Sequence, residues 1–325
     1  MDLYELARQR LEGGAISRAC ALSILELPDG KVDELLDAAF ILRKAYKGLK
    51  TGIQILTNAR SGNCSQDCAY CAQSGASKAD IETYPLIPYE KAAANGALVH
   101  DKHLERHCIG LSGIRFSDAE ISALCDYIRK LKEQSPVSIC CSIGFLTKKQ
   151  ALMLKEAGLN RVNHNLNTGR GYYPQICGTH TYDERIANLK MLKELGFELC
   201  CGGIAGMGES AGDLVDMFFE IEALKPESVP VNFLIPIEGT PKENSDTSRI
   251  TPEFCLKILA LARFMTPKAD IRCAAGRELY LAGRERDMLK AANSVFASGY
   301  LTSGGQNVDD TIAAIKNAGF EHTLE

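Results

Sequence analysis

The chain has 325 residues and a formal net charge of −4, with 46% hydrophobic and 24% charged residues. This balance is typical of a globular protein that forms one large barrel or two small domains. The slightly acidic charge argues against nucleic acid as the main partner, and no apolar run approaches the ~20 residues that cross a membrane.

The first residues, MDLYELARQRLEGG, are helical in pattern and lack the basic head and apolar core of an export signal. We therefore expect a cytoplasmic protein, in which thiols stay reduced. In that compartment the 13 cysteines are expected to be metal-binding, catalytic or buried, not disulfide-bonded.

Residues 1–49 carry helical patterning and are predicted to form an N-terminal helical extension. From about residue 50, eight short apolar runs alternate with longer amphipathic segments, several of which end in Gly or Pro. The runs are IQILTN (53–58), HCIGLSG (107–113), VSICCSIG (137–144), RVNHNLN (161–167), FELCCGGIAG (197–206), VPVNFLIP (229–236), DIRCAAG (270–276) and NSVFASG (293–299).

This alternation predicts an α/β fold, a (β/α)8 TIM-type barrel over residues 50–302, followed by a C-terminal helix or tail over 303–325. A doubly wound open sheet fits the alternation almost as well, and periodicity does not separate the two.

Several of the predicted strands are unusually polar for a parallel sheet that is covered on both faces. The fourth run contains Asn163, Asn165 and Asn167, the sixth contains Asn232, and the seventh contains Arg272. Buried polar groups are costly without partners, so we expect this set to converge on a ligand at the barrel mouth. The alternative is a polar network that satisfies itself.

Three cysteines, Cys64, Cys68 and Cys71, lie in the loop SGNCSQDCAYCAQS after the first predicted strand. Structural zinc uses four ligands, commonly in paired short motifs, and the chain has no second CxxC. A [4Fe–4S] cluster held by three thiolates keeps one iron open for a substrate. The spacing therefore favours an iron–sulfur cluster over zinc or inert thiols.

The CxxxCxxC spacing resembles the motif of the radical S-adenosylmethionine superfamily. The resemblance implies that S-adenosylmethionine binds the open iron through its amino and carboxylate groups. An electron from the cluster then cleaves it to methionine and a 5′-deoxyadenosyl radical. Tyr70 stands at the aromatic position that lies against the adenine in this superfamily.

Longer segments resemble the biotin synthase family, whose members insert sulfur into dethiobiotin to form biotin. They are SGNCSQDCAYCAQS, NHNLNT, THTYDER, GGIAGMGE, ESVPVNFLIPIEGTP, IRCAAGRE and NSVFASGYLT. The resemblance implies a sulfurtransferase in which Asn163, Asn165 and Asn232 bind dethiobiotin, and Asn165 and Asn167 bind S-adenosylmethionine. Asn167 departs from the acidic residue that many members have there to hold the ribose hydroxyls.

The same resemblance implies that Cys108, Cys140, Cys200 and Arg272 hold an auxiliary iron–sulfur cluster, which is the sulfur source. This cluster is expected to be a [2Fe–2S] cluster or a larger variant, with Cys273 as the alternative to Arg272. The cysteines that directly follow these positions are Cys141, Cys201 and Cys273. They either pack outward against the helices, as strand alternation favours, or are turned inward by a bulge and enlarge the cluster. The cysteines without metal spacing, expected to be structural, are Cys20, Cys125, Cys177 and Cys255.

Two rival functions stay open at this stage. Another radical enzyme on the same barrel, of the hydrogenase maturase or methylornithine synthase type, should not need cysteines on three inner strands. A non-catalytic iron–sulfur scaffold would have no use for a polar pocket. The family resemblance also implies an electron donor such as flavodoxin or ferredoxin, and a homodimer; no nucleic acid or membrane partner is expected.

Overall fold

The eight predicted strands all form, and they close into a barrel. The computed structural model describes residues 1–302 and 304–322, and all of its strand pairings are parallel. The strands are β1 Gly52–Arg60, β2 Arg106–Leu111, β3 Ile139–Ser142, β4 Arg161–Asn163, β5 Glu198–Cys200, β6 Gly203–Ala205, β7 Ser228–Phe233, β8 Asp270–Cys273 and β9 Ser294–Ala297.

Closure of the sheet decides between the two predicted folds. β1 pairs with β2 on one side and with β9 on the other, and β5 pairs with β7 across the far side. A ring of this kind confirms the (β/α)8 barrel and excludes the doubly wound open sheet.

The predicted fifth strand is divided into β5 and β6 by Cys201 and Gly202. At Gly202 a Cβ atom would lie 1.9 Å from the carbonyl oxygen of Pro230 on β7. Only glycine allows this close approach, so the backbone leaves the regular ladder there.

The helices surround the barrel, and several of them begin at side-chain caps. They are α1 Leu3–Leu11, α2 Arg18–Leu25, α3 Val32–Lys47, α4 Tyr89–Asp101, α5 Asp118–Gln134, α6 Lys148–Glu156, α7 Tyr182–Glu194, α8 Ala211–Leu224, α9 Pro252–Met265, α10 Arg277–Tyr280, α11 Glu285–Ala291 and α12 Val308–Asn317. Ser117 with Glu120 forms a capping box before α5, and Thr181 with Glu184 does so before α7. Within the described residues, no helix is long and apolar enough to cross a membrane.

The N-terminal helices are tied to the barrel by buried arginines. Arg10 donates to the carbonyl oxygens of Phe264 (2.8 Å) and Met265 (3.0 Å) at the end of α9, and Arg43 donates to that of Ala292 (3.0 Å). These bonds satisfy helix carbonyls that have no partner in their own helix. The domain boundaries after residues 49 and 302 stay a prediction; residues 303 and 323–325 of the predicted tail lie outside the described residues.

Ion pairs close the barrel floor, at the amino ends of the strands. Asp270 lies 2.8 Å from the ammonium of Lys47 and 3.8 Å from the guanidinium of Arg161, which also contacts Glu198 at 2.8 Å. Burial raises the pKa of Asp270, but the charges of Lys47 and Arg161 and the hydrogen bonds from Lys47 and Asn293 together outweigh burial and leave this pKa below its ordinary value. The charged floor thus stabilises the end of the barrel opposite the strand termini that carry the polar residues.

Candidate functional site

One cavity of about 370 Å³ lies at the carboxyl ends of the strands, where barrel enzymes place their sites. Its lining includes every predicted site residue except Cys273. These lining residues are Cys64, Cys68, Tyr70, Cys71, Cys108, Cys140, Asn163, Asn165, Asn167, Cys200, Asn232 and Arg272. The cavity therefore contains both predicted cysteine groups and the asparagines.

The three-cysteine loop folds back on itself beside the cavity. The backbone N–H of Cys71 donates to the carbonyl oxygen of Cys68 (3.1 Å), and that of Cys64 donates to Gln73 (3.3 Å). All three thiols are half-buried, and burial raises the pKa of Cys71. Three thiols from one short loop, open to a cavity on one side, fit a [4Fe–4S] cluster with one iron facing a ligand.

Deeper in the barrel, Cys108, Cys140 and Cys200 form a separate buried cluster with Leu56 and Phe296. Cys108 and Cys140 are direct partners in the β2–β3 register. The hydrogen bond with Cys108 raises the pKa of Cys140 to about 12, and Cys140 is also hydrogen-bonded to Cys200. Closure of the barrel brings together three thiols that lie on three different strands.

Arg272 points into this buried cysteine cluster. Its guanidinium lies 3.6 Å from the Cys200 sulfur, donates to the Ser228 hydroxyl at 2.9 Å, and stacks 4.9 Å from the centre of the Phe296 ring. Burial lowers the pKa of Arg272, but attraction to the surrounding acidic groups, Cys200 first and then Cys108, Glu105 and Cys140, together outweighs burial and leaves this pKa raised. A buried cation in this position would offset the negative charge that the thiols carry when they ligate a metal.

The doubled cysteines lie on the other side of the strands. Cys141, Cys201 and Cys273 are fully buried in the main hydrophobic core between barrel and helices, not in the inner cluster. The ladders of β3, β5 and β8 carry no register shift. Strand alternation therefore places Arg272 inward and Cys273 outward.

Two of the asparagines hold one another in place. The side-chain amide N–H of Asn163 donates to the oxygen of Asn165 (3.1 Å) and to the Cys200 sulfur (3.1 Å). The Asn165 oxygen also accepts from the backbone of Gly202 (3.1 Å). This arrangement leaves the Asn163 oxygen as an acceptor and the Asn165 N–H groups as donors for a ligand.

Asn232 and Asn167 occupy the neighbouring wall of the cavity. Asn232 donates to the carbonyl oxygen of Gly203 (3.0 Å) and accepts from the backbone N–H of Ala275 (3.2 Å). Asn167 has a positive φ of 71°, a conformation that asparagine tolerates better than most residues. Its side chain is buried and contributes to the cavity lining.

Two further polar side chains of the cavity region, Arg185 and Gln54, were not predicted from the sequence. Arg185, in the THTYDER segment, is buried in the cavity wall, and Gln54 on β1 accepts a hydrogen bond from Cys108 (3.0 Å). The Gln54 N–H group is buried without a partner among the described residues. Sulfide atoms of an auxiliary cluster would accept from it, so the donor set fits such a cluster. A polar residue in the first strand and the arginine of THTYDER were the available sequence signals.

Comparison with known proteins identifies the family. Residues 59–221 match the Radical SAM superfamily, and residues 230–321 match the Biotin and Thiamin Synthesis associated domain. The biotin synthase of Bacillus cytotoxicus is 40% identical over 99% of this chain and 96% of its own, and that of Bacillus licheniformis is 41% identical over 98% and 95%.

Solved structures agree on the fold. The crystal structure of methylornithine synthase superposes with a TM-score of 0.83 at 18% identity, covering 98% of this chain and 97% of that one. A maturase of the [FeFe]-hydrogenase superposes with a TM-score of 0.82 at 15% identity, covering 98% and 75%. At these identities the likeness shows a shared barrel, whereas the full-length matches show descent: the chain belongs to the biotin synthase family of the radical S-adenosylmethionine superfamily.

Proposed function

We propose that this protein is a biotin synthase, which uses S-adenosylmethionine to insert sulfur into dethiobiotin. One observation carries the proposal: a single cavity joins a three-cysteine loop at its mouth to three buried cysteines and an arginine at its base. A substrate between the two groups would face a radical source on one side and sulfur on the other. The C–H bonds of dethiobiotin offer no acidity to a base, which suits a site of neutral amides.

The site residues have distinct proposed tasks. Cys64, Cys68 and Cys71 would hold a [4Fe–4S] cluster, and Cys108, Cys140, Cys200 and Arg272 would hold an auxiliary cluster. When bound, these groups supply the electron that cleaves S-adenosylmethionine and the sulfur atom of the product. The two-iron form of the auxiliary cluster is favoured because Cys141, Cys201 and Cys273 lie in the outer core.

The asparagines would bind and orient the two organic ligands. The acceptor of Asn163 and the donors of Asn165 suit a ureido ring, which itself offers N–H donors and a carbonyl acceptor. Asn232 would complete this binding site for dethiobiotin. Tyr70, Asn165 and Asn167 would contact S-adenosylmethionine, with Asn167 accepting from the ribose without the strength of a charged acceptor.

The proposed function also implies an electron donor, an oligomeric state and a cellular compartment. An electron donor such as flavodoxin or ferredoxin would reduce the cluster at the mouth, and we propose a homodimer in the cytoplasm. All 13 cysteines are free, which supports a reducing compartment.

The decisive experiment is anaerobic reconstitution with isotopically labelled sulfide, followed by S-adenosylmethionine, reductant and dethiobiotin. Mass analysis should find the label in biotin. Cys200→Ala should cleave S-adenosylmethionine but form no biotin, whereas Cys201→Ala, one residue along in the outer core, should keep both activities. Unlabelled biotin would remove the auxiliary cluster as sulfur source, and absence of biotin from the intact protein would refute the function itself.

A further inference from the structure

Cys177, which had no metal spacing in the sequence, lies against the cluster loop. Its sulfur is 3.9 Å from that of Cys68, although 109 residues separate the two in the chain. The backbone N–H of Ala69 donates to the carbonyl oxygen of Ile176 (2.9 Å), so the two segments are joined next to both cysteines. The contact is therefore built by the fold around the loop and not by side-chain conformation alone.

A chain of hydrogen bonds leads to this thiol from a buried cation. The Arg185 guanidinium donates to Nε2 of His180 (2.7 Å), which assigns the imidazole proton to Nδ1. Nδ1 lies 3.3 Å from the Cys177 sulfur and 2.8 Å from the side-chain oxygen of Gln66. The single Nδ1 proton is thus shared between the nearer Gln66 oxygen and the Cys177 sulfur, and its weaker branch polarises the S–H bond of Cys177.

The same geometry argues against a separate mononuclear metal site. The ligand atoms of Cys68, Cys177 and His180 all lie within 4.8 Å of one another, close enough to surround an ion. However, Nδ1 of His180 carries the proton while Arg185 occupies Nε2, so neither ring nitrogen offers a lone pair. Hydrogen bonding, and not ligation, is the chemistry that this cluster of side chains supports.

We propose that Cys177 donates its S–H hydrogen bond to the sulfur of Cys68 and thereby raises the reduction potential of the cluster at the cavity mouth. The inference rests on the proposed [4Fe–4S] site. A cysteine that binds iron has no proton, so a hydrogen bond between the two sulfurs must then come from Cys177. A donor to a cluster sulfur stabilises the reduced, more negative state more than the oxidised state.

Asp67 is the competing acceptor for the same proton. Its carboxylate oxygen lies 3.2 Å from the Cys177 sulfur and already accepts from the backbone of Gly178 (3.0 Å) and the hydroxyl of Thr179 (2.8 Å). If Cys177 donated to Asp67 instead, it would screen that negative charge from the cluster without bonding to Cys68. Removing Cys177 would then also lower the potential, so the Cys177→Ala shift is measured again in the Asp67→Asn background, where it should persist if Cys177 donates to Cys68 and disappear if it only screens Asp67.

The test is an anaerobic redox titration of the reconstituted protein, followed by electron paramagnetic resonance of the reduced cluster. In Cys177→Ala the ratio of reduced to oxidised cluster at a fixed potential should fall about tenfold, equivalent to 59 mV for a one-electron couple. Cys177→Ser, which keeps a donor, should restore most of this ratio. Cys125→Ala, which removes a buried cysteine on α5 outside the cavity lining, should match the intact protein.

The outcomes separate the inference from the function on which it rests. A normal cluster with unchanged or raised potential in Cys177→Ala overturns the hydrogen bond to Cys68 and leaves the cluster site standing. Loss of the cluster from both Cys177 variants overturns it in favour of a ligand role. Absence of the cluster signal from the intact protein refutes the cluster site itself.

Discussion

Asn232→Ala tests whether dethiobiotin binds in the cavity. The Asn232 amide uses part of its hydrogen-bonding capacity on the backbone and has the rest available for a ligand. One N–H is taken by the carbonyl of Gly203 (3.0 Å), and one oxygen lone pair is taken by the N–H of Ala275 (3.2 Å). An amide has two N–H donors and two lone pairs. One donor and one acceptor site therefore stay available on the cavity side.

The substitution should have two effects that can be measured separately: weaker dethiobiotin binding and a smaller free energy of unfolding. Loss of one hydrogen bond to the ligand costs ~1.4–2.8 kcal/mol, which weakens binding roughly ten- to hundredfold. The Gly203 carbonyl and the Ala275 N–H also lose their side-chain partner, so the free energy of unfolding should fall by ~1–3 kcal/mol. Neither cysteine group is touched, so iron content should not change.

Calorimetric titration of dethiobiotin into the reconstituted protein with S-adenosylmethionine measures the first effect, and urea unfolding measures the second. Asn188→Ala is the matched control, since Asn188 is a buried asparagine on α7 that accepts from the N–H of Leu146 (3.2 Å) and does not line the cavity. It should lose stability without losing affinity. Wild-type affinity in Asn232→Ala would mean that dethiobiotin binds elsewhere or that the substrate is different.

Five other substitutions test the two cysteine groups and the charged barrel floor. Cys71→Ala should abolish 5′-deoxyadenosine formation, measured by chromatography; near-normal cleavage would refute its ligand role. Cys200→Ala should lower iron from about six to about four atoms per chain, and clearly more than six in the intact protein would indicate an enlarged auxiliary cluster. Arg272→Ala should alter the auxiliary iron spectrum, while Cys273→Ala should not; the reverse would make Cys273 the ligand. Asp270→Asn should lose ~1.5–3 kcal/mol at pH 7. Because the pKa of Asp270 is depressed, this stability is present above about pH 3.8 and disappears as the pH falls, so urea unfolding near pH 3 should show a smaller difference. An equal difference at both pH values would contradict the ion-pair account.

The barrel was predictable because each strand carries its own local signal. All eight apolar runs became strands, although the fifth is broken where Gly202 meets the carbonyl of Pro230. That break depends on a contact with β7, so the local sequence pattern does not predict it. Periodicity likewise does not predict closure of the barrel, since closure depends on the pairing of β1 with β9.

Some residues of the candidate site could be predicted from the sequence and others could not, depending on whether they lie close together in the chain. Cys64, Cys68 and Cys71 share one loop, so their spacing alone indicates a three-thiolate site. Gln54 and Cys177 carry no such signal, because each reaches the site only through the fold. Cys177 was expected to be structural, and the structure instead places it against a predicted cluster ligand.

The doubled cysteines show how packing decides a question that sequence leaves open. In the β2–β3 register Cys108 pairs with Cys140, and the next residues, Ile109 and Cys141, pair with each other. Paired residues in a ladder face the same side, so Cys141 follows Ile109 into the outer hydrophobic core while Cys140 faces the barrel interior. A bulge at this position would have reversed that assignment, but the ladder is continuous. A second thiol on a strand therefore adds a small apolar side chain to the helix layer, and the proposed ligand set inside the barrel has one cysteine on each of β2, β3 and β5.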